Sequence, residues 1–137
     1  MGCPICQMEM ANIKRDIHLA KNKDVFVFVV LQSSPDTISS ITKVEDWPFT
    51  IVCDPVAKIF QLYAVNRGNV LKYLNPVGIA AALKAIGSGY KHGKFEGIET
   101  QLPASFIINS NRVITLAHYG NRINDIPSLE TLISNIK

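Results

Sequence analysis

A chain of 137 residues, 47% hydrophobic and 18% charged, has the length for one domain with a proper core and the balance of a compact soluble protein. Its net charge of +3 is scattered, with Lys14, Arg15, Lys21 and Lys23 flanking one helix and Lys91, His92 and Lys94 in one loop; without a basic stripe interleaved with aromatics, nucleic acid is not an expected partner. The longest apolar run, residues 25–31, is far too short to cross a bilayer, no signal peptide is visible, and three cysteines with one close pair exclude a disulfide-stapled secreted scaffold, so a cytoplasmic, reducing compartment is expected.

The chain opens on Met1-Gly2-Cys3-Pro4-Ile5-Cys6. Pro4 suits the first turn of a helix, where its missing N–H would be unpaired anyway. Cys3 then stands at the helix N-terminus, whose free N–H groups and dipole favour negative charge, so its pKa should be lowered and its thiolate is the expected nucleophile. Cys6, one turn further in on the same face, is placed to resolve a mixed disulfide. Three plainer readings stand beside this one. Structural zinc needs two further ligands, and Cys53, His18, His92 and His118 are scattered singly. Met-Gly-Cys resembles an acylation start, but Cys6 occupies the position where Ser or Thr is usual. Two buried thiols without chemistry are the third.

Apolar residues Cys6, Met10, Ile13, Ile17 and Ala20 recur at three- and four-residue spacing and predict one face of a helix over residues 4–21. His18 falls near its far end, away from Cys3. Residues 25–31 are β-branched and aromatic without polar alternation, which predicts a strand buried on both faces of a parallel sheet. Ser33-Ser34-Pro35-Asp36 caps a helix over residues 35–44, and Trp47-Pro48 breaks it. Residues 49–53 form a second short strand, in which Cys53 reads as a core thiol. Asp54-Pro55 starts a helix over residues 56–63, with Ile59, Phe60 and Leu62 available for packing.

Residues 68–76 read as a linker, and Asn75-Pro76 caps a helix over residues 77–86 that ends at Gly87 and Gly89. Residues 90–101 read as an exposed loop. A strand over residues 104–109, a turn at Ser110-Asn111 and a return strand over residues 112–118 make a hairpin. A last helix starts at Pro127 and runs through Ile136. The order is α/β, parallel first and antiparallel last, in a single domain over residues 1–137.

These segments resemble the thioredoxin superfamily, and more closely the peroxiredoxin-like branch of the alkyl hydroperoxide reductase/thiol-specific antioxidant family. The matching stretches are Cys3-Pro4-Ile5-Cys6 before a long helix, Cys53-Asp54-Pro55 leading to Tyr63-Ala64-Val65, Gln101-Leu102-Pro103-Ala104-Ser105-Phe106, and the hairpin end Ala117-His118-Tyr119-Gly120. The resemblance implies a thioredoxin-like fold: a mixed central sheet with a C-terminal antiparallel hairpin and helices on both faces. It also implies a cis Leu102-Pro103 peptide lying against the dithiol, with Pro4, Leu102 and Pro103 contacting substrate. Two departures accompany it. The pocket arginine of the family has no motif here to single it out among Arg67, Arg112 and Arg122. The strand that precedes Cys-x-x-Cys in this fold has no counterpart in the sequence, so self-association to a homo-oligomer, or poor stability of the isolated chain, is expected.

The expected function is reduction of peroxides or disulfides by a Cys3/Cys6 dithiol, with a thioredoxin-type reductant or low-molecular-weight thiols restoring it and no metal or organic cofactor. The alternative is a non-enzymatic redox-sensing or binding module on the same scaffold.

Overall fold

Helix α1, Pro4–Lys21, is the element against which the three hydrophobic clusters assemble. The computed structural model describes residues 2–65, 67, 68, 75–93, 97 and 100–136, with backbone alone at residue 44. Pro4 takes the first helical position, as expected, and the basic His18 and Lys21 fall in the last turn, where they complement the dipole. Of the predicted stripe, Met10 and Ala20 are buried and Ile13 and Ile17 half-buried, but Cys6 is exposed. The stripe is therefore covered from Met10 onward and open at its cysteine end.

Strands β1, Phe28–Leu31, and β2, Thr50–Cys53, pair in parallel, with Phe28 opposite Thr50 and Leu31 opposite Cys53. Helix α2, Pro35–Ile41, crosses between them, its first turn capped by the Ser34 hydroxyl accepting from the Thr37 N–H at 3.2 Å. It ends three residues earlier than predicted: Thr42 turns extended, and its hydroxyl accepts from the Trp47 indole N–H at 3.1 Å. Met10, Ile38 and Phe49 centre the first cluster, against which Val27, Val29, Leu31, Ile51 and Cys53 pack from one face of the sheet. The period-two alternation puts Phe26 and Phe28 on the other face, where they are 87% and 63% exposed. Burial of this strand on both faces is thus corrected, because the cluster covers only the α1 side.

Asp54 is buried at the end of β2, and its carboxylate accepts from the backbone N–H groups of Lys58, Ile59 and Phe60 at 2.8, 2.7 and 3.3 Å. It caps α3, Lys58–Leu62, which is shorter than predicted and leaves Leu62 exposed. Asp54→Ala strands three donors at once. A loss of about 2–3 kcal/mol is expected in urea denaturation, against a few tenths for an exposed carboxylate such as Glu130.

Helix α4, Pro76–Gly87, is capped by the Asn75 side chain accepting from the Gly78 N–H, and it packs Ala81, Ala82 and Ala85 against Ile5 and Met8 of α1. Residues 69–74 of the expected linker and residues 94–96, 98 and 99 of the expected loop lie outside the described residues. Strands β3, Ala104–Ile108, and β4, Ile114–Tyr119, form the antiparallel hairpin, with Ala104 opposite Tyr119. Its connection runs over residues 109–113 in place of the predicted pair. Asn109 Oδ1 accepts from the N–H groups of Asn111 and Val113, and Arg112 takes a left-handed φ of 63°. The last helix, α5, Leu129–Ser134, packs Leu129 and Ile133 on Ala20 of α1.

One mixed central sheet is not what forms. Among the described residues there are two two-stranded sheets, one parallel and one antiparallel, in a mixed α/β chain. Side chains join them instead. Phe106 packs between Tyr63 and Tyr119, the Tyr119 hydroxyl donates to the Tyr63 carbonyl at 2.9 Å, and Gln32 donates to Gln101 at 3.3 Å. The cis Leu102-Pro103 peptide is also corrected, since no described peptide bond is cis. Pro103 acts as a strand opener, its carbonyl accepting from the Gly120 N–H at 2.9 Å just ahead of the Ala104 and Tyr119 pairing. No helix among the described residues is long and apolar enough to cross a membrane.

Candidate active site

Cys3 is the N-cap residue of α1, extended at φ −77° and ψ 122°, and its carbonyl accepts the first helical hydrogen bond from the Gln7 N–H at 3.2 Å. Its sulfur makes no capping bond to the helix. Pro4 holds the next position and is buried, which fixes the turn between the two cysteines. One turn on, the Cys6 thiol hydrogen-bonds the Cys3 sulfur. Neither cysteine is in a disulfide, and Cys3 is half-buried and Cys6 exposed.

That contact governs ionisation. Cys6 is pushed well above the ordinary thiol range, first by its hydrogen bond to Cys3, then by desolvation and by negative charge on Cys3. Because Cys6 presents surface to solvent, the neighbouring sulfur is the decisive cause. A proton shared this way stays on Cys6 when one of the two thiols ionises.

The dithiol turn is held from below and from the side. Ile5 is 2% exposed and packs with Ala85 and Ile123, and Cys3 lies against the same cluster. Residues 90–93 wrap the helix start: the Gly93 N–H donates to the Gly2 carbonyl at 2.9 Å, Gln7 Nε2 donates to the Lys91 carbonyl at 3.1 Å, and Tyr90 joins the cluster. This fastening brings Lys91 and His92 beside the start of α1.

Pro4 thus belongs to the dithiol turn, as expected. Leu102 and Pro103 form a separate layer of contacts. Leu102 is buried against Gly68, where a Cβ would approach its side chain to 3.0 Å. Pro103 packs on Gly120, where a Cβ would meet the Pro103 ring at 2.8 Å and the Asp125 carbonyl at 2.7 Å. What links that layer to the cysteines is the turn over residues 120–125, which sequence reasoning missed. Its signals were polar and local: a glycine at the end of a strand, then Asn121 and Asp125 as turn formers.

Asp125 closes this turn. Its Oδ2 accepts from the Asn121 N–H at 2.8 Å, and its Oδ1 and backbone carbonyl lie 3.1 and 3.2 Å from His118 Nε2. Both partners of Nε2 are acceptors, so that nitrogen carries the proton. The Asn121 N–H, ahead of the His118 ring, holds the Asp125 carboxyl below its ordinary range, with desolvation opposing. The carboxylate is thus preferred in the folded chain.

Cys53 is half-buried on the first cluster, away from the pair. Arg67, Arg112 and Arg122 are all exposed. Among the described residues no three His, Cys, Asp or Glu side chains gather as a metal site. No curated protein and no solved structure matches the chain. The model of the AhpC/TSA family matches residues 1–117, which takes in the dithiol, both parallel strands and most of the hairpin. The chain therefore belongs to the AhpC/TSA family, in the thioredoxin-like group of thiol-dependent peroxidases and oxidoreductases.

Proposed function

We propose that this chain reduces peroxides or disulfides through Cys3 as nucleophile and Cys6 as resolving thiol. The observation that carries the reading is the thiol–sulfur hydrogen bond between Cys6 and Cys3 at the open end of α1. It leaves charge on Cys3 and a proton on Cys6. With a peroxide, the Cys3 thiolate attacks one oxygen, the O–O bond breaks, and the alkoxide leaves with a proton taken from solvent. The sulfur becomes a sulfenic acid, oxidised by two electrons. Cys6 then attacks that sulfur, an S–S bond forms and water leaves. With a disulfide substrate, Cys3 forms the mixed disulfide and Cys6 releases the reduced product. A thioredoxin-type dithiol or a low-molecular-weight thiol supplies two electrons to restore the pair.

Self-association belongs to the same reading, motivated by Phe26 and Phe28 on an uncovered sheet face. The test of the chemistry is Cys6→Ser. Treated with one equivalent of hydrogen peroxide, this variant is expected to stop at a sulfenic acid on Cys3, trapped by dimedone and located by mass spectrometry. Label on Cys53, or none at all, would count against the assignment.

A further inference from the structure

Ile123 comes from the turn over residues 120–125, yet it is 8% exposed inside the cluster that holds Ile5 and Cys3. The turn has little else to fix it. Its backbone contributes the Asp125 N–H to the Arg122 carbonyl at 3.1 Å and the Gly120 N–H to the Pro103 carbonyl at 2.9 Å. The remaining bonds converge on Asp125: its carboxylate accepts from the Asn121 N–H inside the turn and from His118 Nε2 on β4, which also lies 3.2 Å from the Asp125 backbone carbonyl. Inside the same turn Asn124 Oδ1 is buried without a hydrogen-bond partner among the described residues, a cost that the Asp125 bonds offset. The hairpin, the Pro103 layer and the dithiol floor therefore meet at a single closure. Ala85 of α4, which is fully buried, packs in the same cluster, so a shift of Ile123 is passed to the dithiol turn and not absorbed.

We infer that Asp125, held by His118 and Asn121, is a positioning residue for the dithiol: it clamps the turn that seats Ile123 in the cluster with Ile5 and so sets the Cys3 to Cys6 geometry. The inference rests on the proposed reading of that pair as the reactive centre and adds the residues that align it. Asp125 touches neither thiol and takes no part in bond making. Its effect on the site travels through Ile123.

The test is the pH profile of Cys3 alkylation by iodoacetamide, in a Cys53→Ser background, for Asp125→Ala, His118→Leu and His118→Gln. Glutamine keeps a donor that can reach Oδ1, so it serves as the rescue variant. In the parent the midpoint of Cys3 reactivity is expected below the ordinary thiol value of about 8.5. Asp125→Ala is expected to move it upward and to slow alkylation at pH 7 by about threefold to tenfold, since less thiolate is available. His118→Leu should shift it the same way by less, and His118→Gln should stay within about twofold of the parent.

A folded Asp125→Ala chain whose profile superimposes on the parent's overturns the inference, and if that variant does not fold, His118→Leu against His118→Gln decides. A parent midpoint at the ordinary thiol value instead sinks the proposed function. The clamp is then judged on amide exchange at Ile5 and Cys6: faster exchange in Asp125→Ala supports it, and unchanged exchange overturns it.

Discussion

Cys3→Ser is expected to abolish the intramolecular disulfide and to slow reaction with hydrogen peroxide at pH 7 by at least about tenfold, to the rate of an ordinary thiol. The hydroxyl is not a nucleophile at this pH, and removing the Cys3 sulfur also removes the leading cause that holds Cys6 high. Cys6 alone loses the hydrogen bond and the charge of Cys3 but is still raised by desolvation, so it reacts no faster than an ordinary thiol. The measurement is the second-order rate of thiol loss, read beside circular dichroism to show that α1 persists. Reaction at the parent rate would move the nucleophile to Cys6 and reverse the two roles. Exposure alone would favour that reversal, since Cys6 is the more open of the two. The ionisation order opposes it, because a thiol that stays protonated cannot lead the attack.

The largest effect on stability is expected from Met10→Ala, at about 2–5 kcal/mol in urea denaturation. Among the described residues Met10 is the largest fully buried side chain, and it is 2% exposed. It fills the space between Ile38 and Phe49, where α1 meets the parallel sheet. Removing the thioether leaves a cavity lined by both elements, and neither can close it without moving the other. Domain stabilities lie near 5–15 kcal/mol, so the loss is a large share of the whole. A change below about 0.5 kcal/mol would mean that the α1 face is not packed against this sheet in solution.

Much of this was legible in the sequence. Caps with short-range chemistry were read correctly: Ser34 and Asn75 each accept an N–H three residues on, and Pro4 opens α1. Strand pairing was harder, because a run such as Val25 to Leu31 states its propensity but not what covers each face. Phe26 and Phe28 carry the same hydrophobic signal as Val27 and Val29, and only the packing of α1 on one side separates them. Cys6 illustrates the same limit. It belongs to the apolar stripe by spacing and is exposed because the cover ends at Met10. The closure at Asp125 was invisible for a different reason. It depends on a histidine seven residues away across a turn, a contact that periodicity does not encode. The trans Leu102-Pro103 peptide was misjudged because the resemblance, not the local chain, had set the expectation.

Redox activity of the pair is tested most directly by treating the fully reduced wild-type chain with one equivalent of hydrogen peroxide and mapping its thiols by alkylation and peptide mass spectrometry. The expected result is the loss of two thiols per chain, a single disulfide joining Cys3 to Cys6, and Cys53 still open to alkylation, with all three thiols returning after reduction by thioredoxin or dithiothreitol. Oxidation that leaves Cys3 and Cys6 reduced, or that links either of them to Cys53, would contradict the account.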